Sequence, residues 1–169
     1  MDNVKAHAYP DSETPRAELI GEWWMAGYVD PTSQQIAFTF FDQGVGIPTT
    51  IKQKRSVRFK SYLNFTDQRI ISKAVLEGLS RRKSGRHGNG LPSLREIIDI
   101  APSGFLRVIS NKGDFIYQKN LKPKSSGIQV YLEGSLVIWS IQGSCDDLSP
   151  SGIDLLPPVI NQQKELFYG

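Results

Sequence analysis

The chain has 169 residues and 18.9 kDa, a formal net charge of +3 and a pI near 9.0. That length suits one domain, and 39% apolar against 22% charged residues is far from a disordered composition. The lone Cys145 excludes an internal disulfide and a cysteine-cluster zinc site, and two histidines disfavour a His-based structural metal site.

The first residues, Asp2 to Tyr9, read as the end of a helix stopped by Pro10. They carry neither the basic nor the apolar region of a secretory signal. A polar loop to about Arg16 follows. Trp23–Val29 and Gln35–Phe41 read as strands joined by the turn chemistry of Asp30-Pro31-Thr32-Ser33. Both faces of the second strand are mostly apolar. A helix begins after Thr66 or Asp67, either of which can cap it. Its apolar stripe is Ile71, Ala74, Val75, Gly78 and Leu79. A second helix runs over 91–100, with Leu91, Leu94, Ile97 and Ile98 inward, Pro92 in its first turn and Pro102 beyond its end. Two hairpins are then predicted: 105–110 with 115–118 around Asn111-Lys112-Gly113-Asp114, and 128–132 with 135–141 around Glu133-Gly134. The longest strongly apolar stretch, Leu136 to Ile141, is too short to cross a bilayer as a helix. The expected fold is α+β: a two-layer sandwich with helices on one face of a mixed, mainly antiparallel sheet.

The charge is uneven. Residues 49–90 hold 11 of the 20 basic side chains and two of the 17 acidic ones, a net of +9, which leaves −6 elsewhere. Such asymmetry points to an anionic partner for the middle of the chain. Lys52, Lys54, Arg55, Arg58 and Lys60 lie near Phe59 and Tyr62, as on a partner-binding or nucleic-acid face. Nucleic acid is disfavoured, because no recognised nucleic-acid motif accompanies the charge.

Two glycine constellations flank this segment. Asp42-Gln43-Gly44-Val45-Gly46-Ile47-Pro48 follows an apolar strand directly. It offers a fixed carboxylate beside a backbone that a ligand can approach, and an exocyclic amine is a natural donor to it. Gly85-Arg86-His87-Gly88-Asn89-Gly90-Leu91 opens a helix, where exposed N–H groups and the helix dipole favour an anion. It is neither a Walker A loop nor a Rossmann fingerprint.

In this order and separation the two constellations resemble the GHKL superfamily, the histidine-kinase-like ATPases with the Bergerat fold. Asp42 to Gly46 matches the family's D-x-G-x-G box, and Gly88-Asn89-Gly90-Leu91 its G-x-G-L box. Gly134-Ser135 is similar to the third, Gly-Thr-type element. Asp2 to Ala8 resembles the end of the N-box, E-L-x-x-N-A-x-x-H-A. The match covers residues 1–141: N-box remnant 1–8, D-x-G-x-G box 42–46, lid 49–84 and glycine box 85–91. Residues 142–169 have no counterpart and read as an extension of unknown role, which Leu155, Leu156, Val159 and Ile160 could dock.

The resemblance implies a cytoplasmic ATP-Mg²⁺-binding domain of a histidine-kinase- or anti-sigma-kinase-like protein, serving phosphotransfer or ATP-gated signalling. Asp42 would read adenine, with Gly44, Gly46 and Ile47 around it. Gly85, Gly88, Asn89, Gly90 and Leu91 would hold phosphates, helped by Ser80 and Arg81. His7 would add a contact, and Asn3 would bind Mg²⁺. A protein partner or phosphoacceptor is implied as well, and a homodimer is left open. The N-box Glu, which positions the attacking water in family members that hydrolyse ATP, would fall before Met1. The sequence therefore reads as the later portion of a longer protein, and catalysis by this chain alone is expected to be weak. The alternative is a nucleotide-gated interaction module, or a remnant with little catalysis.

Overall fold

The structure, a computed structural model, describes residues 23–53, 57–78 and 90–143, with the side chains of 57–59 excepted. The elements in chain order are β1 (Trp23–Asp30), β2 (Gln35–Asp42), α1 (Ile47–Gln53), a 3-10 helix (Val57–Asn64), α2 (Asp67–Leu76), α3 (Gly90–Ile100), β3 (Ser103–Gln118) and β4 (Lys124–Gln142). The strands form one sheet in the order β1-β2-β4-β3. Among the described residues all three pairings are antiparallel, in a sheet the sequence predicts to be mixed but mainly antiparallel. The three α-helices pack against it, mainly on β3 and β4. This is the α+β, helices-on-one-face arrangement that the sequence predicts.

Register explains which residues are inside. Opposed residues in antiparallel strands share a face. The row Leu106, Trp139, Phe38 and Gly27 therefore lies on one side of the sheet, as do Val108, Val137, Phe40 and Met25. Leu106 and Val108 join Ile71, Val75, Ile98, Ala101, Phe115 and Ile141 in the main core, so this side faces the helices. A second cluster, Ile51, Ile70 and Ala74, lies between α1 and α2. Of the predicted inward face of α3, only Ile98 is fully buried; Leu91, Leu94 and Ile97 pack at its margin. The other side of the sheet carries the row Trp24, Phe41, Leu136 and Ile109, with Trp24 and Phe41 stacked 5.6 Å apart. Trp24 is 44% exposed.

The first hairpin forms as predicted. Asp30 accepts hydrogen bonds from Thr32 N (2.9 Å) and Ser33 Oγ (2.7 Å), which is why Asp-Pro-Thr-Ser turns there. The helix after Thr66 forms too, and Thr66 occupies the N-cap position without a side-chain bond. The two later hairpins do not form. β3 and β4 are each continuous through the predicted turns and pair with one another instead. Asn111 (φ 52°) and Gly134 (φ 101°) mark irregularities in long strands, and the pairing register shifts around Asn111. Residues that tolerate positive φ serve a bulge as well as a turn, so their chemistry alone does not separate the two. The reversal falls at 119–123, where Asn120 has φ 60°. Among the described residues, no helix is long and apolar enough to cross a membrane.

Candidate functional site

The site grows from the end of β2. Asp42 pairs in register with Ser135 of β4, and Ser135 with Ser110 of β3, so three polar residues form one row on the helix side of the sheet. Asp42 is only 6% exposed. Its Oδ1 accepts from Gly44 N at 2.9 Å, which folds the chain back over the strand end. Burial pushes the carboxyl above its ordinary value, while the backbone N–H groups of Gly44 and Ser135 pull it down.

The predicted third element lies beside it. Gly134 is inside β4, not at the entrance to a strand, and its backbone sits against Asp42. A Cβ there would lie 1.8 Å from the Asp42 carbonyl oxygen. Ser110 Oγ donates to Gly134 O at 2.7 Å, lies 3.1 Å from Ser135 Oγ, and accepts from Ile47 N at 2.9 Å.

The loop then enters α1, whose residues from Thr49 onward fall in the predicted lid. Gly46, at φ 84°, precedes it, and Gly46 O accepts from Thr50 N and Thr50 Oγ1. Pro48 in the first turn was the available signal for a helix start. The first-turn N–H groups of Ile47 and Thr49 are taken by Ser110 Oγ and Asn111 Oδ1. They are not offered to an anion.

The first glycine constellation and the last residue of the second share the same core. Ile47 and Leu91 both pack against both core clusters. Gly90, exposed, begins α3, and Leu91 is half-buried behind it. Asn3, His7, Ser80, Arg81, Gly85, Gly88 and Asn89 lie outside the described residues, as do Arg82, Lys83 and the extension from Ser144. In the basic segment, Lys52 Nζ is ion-paired with Asp67 Oδ1 at 2.7 Å. Asp67 Oδ2 accepts from Lys112 N, so Lys52 helps to join α1, α2 and β3. Arg69 lies over the Phe65 ring, 4.0 Å from its centroid.

Sequence reasoning missed Ser110, Asn111 and Thr49. Ser110 closed a predicted strand, Asn111 opened a predicted turn, and Thr49 fell in the lid. Only the long-range pairing of β3 with β4 brings the first two under the glycine loop. No protein-family model matches the chain, and no curated protein matches it at a significant level.

Proposed function

We propose that this chain is an ATP-Mg²⁺-binding domain of the histidine-kinase-like ATPase type. The observation that carries the proposal is the buried Asp42 carboxylate at a strand end, beside the Gly134–Ser135 backbone and under a glycine turn. A carboxylate so placed accepts an N–H from an exocyclic amine, as on adenine, in surroundings dry enough to strengthen the bond. Such an acceptor suits the base end of the nucleotide. At the other end, Gly90 and Leu91 stand at the start of an 11-residue helix, where backbone N–H groups and the dipole favour phosphate.

The remaining assignments rest on the resemblance. Gly85, Gly88 and Asn89 would complete the phosphate loop. Ser80 and Arg81 would contact phosphate oxygens from the lid, His7 would add a further contact, and Asn3 would hold the metal. Bound ATP-Mg²⁺ would supply an electrophilic γ-phosphoryl group. The part of Asp42 is to bind and orient, and that of Gly44 and Gly46 is to let the base approach the backbone. Phosphotransfer and ATP-gated signalling to a protein partner are both uses of such a site.

Thermal unfolding with and without ATP-Mg²⁺ tests the reading. A ligand at about 100 times its Kd stabilises the native state by about 2.7 kcal/mol. That raises Tm by roughly 5–10 °C in a chain of this size. A melting curve unmoved by saturating ATP-Mg²⁺ would overturn it.

A further inference from the structure

We infer that Asn111 is the positioning residue that holds the glycine loop in its binding shape. Asn111 is 1% exposed and sits at φ 52° where the β3–β4 register shifts, a conformation that asparagine tolerates better than most residues. Its amide reaches both sides of Gly46. Nδ2 donates to Val45 O at 3.0 Å, before the glycine, and Oδ1 accepts from Thr49 N at 3.2 Å and Thr49 Oγ1 at 3.0 Å, after it. The same Nδ2 reaches Tyr131 Oη at 2.9 Å and Leu132 O at 3.4 Å on β4. One side chain therefore ties the loop, the first turn of α1 and the β4 strand together.

Close packing supports the assignment. A Cβ on Gly46 would lie 2.5 Å from Asn111 Nδ2, so the glycine is the surface on which the amide rests. Ser110, one residue earlier, holds Ile47 N. Two consecutive β3 residues thus bind the loop from behind, while Gly44 N is held by Asp42. The hydrogen bonds of Asn111 run to Val45, Thr49, Tyr131 and Leu132. Asn111 acts through Val45 and Thr49 on where the backbone of Gly44–Ile47 lies relative to Asp42.

The nucleotide half of this inference rests on the ATP reading above, and the experiment separates the two. Asn111→Gly keeps the left-handed backbone but removes every side-chain bond. Asn111→Asp keeps the shape and the acceptor for Thr49, but sets a carboxylate oxygen against Val45 O. Amide hydrogen exchange of Asn111→Gly is expected to be tenfold or more faster over Gly44–Thr50, with α2 and α3 as in the unmodified protein. Asn111→Asp is expected to keep Thr49 protected and to bind ATP-Mg²⁺ about tenfold more weakly. Unchanged loop exchange in Asn111→Gly would overturn the inference. So would a rise spread equally over α2 and α3, which is lost stability rather than lost positioning. Equal ATP affinity in Asn111→Asp and the unmodified protein would overturn it as well. If the unmodified protein binds no ATP, the nucleotide reading fails, while the exchange data still decide whether Asn111 holds the loop.

Discussion

Gly134→Ala is expected to destabilise the protein by about 2–5 kcal/mol, through left-handed backbone strain of about 1–2 kcal/mol and overpacking of about 1–3 kcal/mol. The backbone is at φ 101°, and the new methyl would lie 1.8 Å from Asp42 O, 2.7 Å from Asp42 C and 2.9 Å from Gln43 Cα. All three are main-chain atoms, so no rotamer change relieves the clash. β4 must move away from β2 at the row that carries Asp42 and Ser135. Gly127→Ala is the internal control. A Cβ there meets no heavy atom closer than 3.8 Å. Urea unfolding is expected to leave Gly127→Ala within about 0.5 kcal/mol of the parent, as is usual away from such features. Equal stability of the two variants would show that the close approach of β4 to Asp42 is wrong.

Asp42→Asn is expected to weaken ATP-Mg²⁺ binding about 10- to 100-fold, the range that loss of a charged hydrogen-bond acceptor of about 1.5–3 kcal/mol gives. Without nucleotide the effect on stability has the opposite sign. Burial holds the folded carboxyl above its ordinary value, so ionised Asp42 costs the native state more than the unfolded one. That cost is absent below the unfolded carboxylate pKa, grows as pH rises through the folded value, and is complete above it. The Asn variant is therefore expected to melt higher than the parent at pH 7. This advantage should fade as pH falls below the ordinary carboxylate range. A residue that lowers stability when empty and raises affinity when occupied behaves as a binding group, not as part of the core. Melting curves from pH 3 to 8 check the sign. A parent that is the more stable protein at pH 7 would contradict it.

The sequence carried local signals more faithfully than long-range ones. The β1–β2 turn was legible because Asp30 bonds its own neighbours. α2 was legible because Ile71, Ala74 and Val75 repeat at the helical period and are buried at that period. Asp42 was legible as a strand-end acid because Phe38, Phe40 and Phe41 precede it. β3 and β4 were misread because Asn111 and Gly134 have the composition of turns. What makes them bulges is the partner strand, about 25 residues away, and no local window contains it. For the same reason the Ser110–Asn111 support under the glycine loop was invisible: its contacts to Val45, Ile47 and Thr49 span more than 60 residues. Nor did any local signal show the tie of Lys52, in α1, to Asp67, 15 residues away.

In the proposed function Asp42 accepts a hydrogen bond from the amine edge of adenine. Isothermal titration of the full chain with ATP-Mg²⁺ and with GTP-Mg²⁺ tests it most directly. Adenine presents an N–H donor where guanine presents a carbonyl, which a buried carboxylate repels. ATP is expected to bind saturably, with GTP at least about tenfold weaker. No saturable heat with ATP, or equal affinity for the two nucleotides, would contradict it.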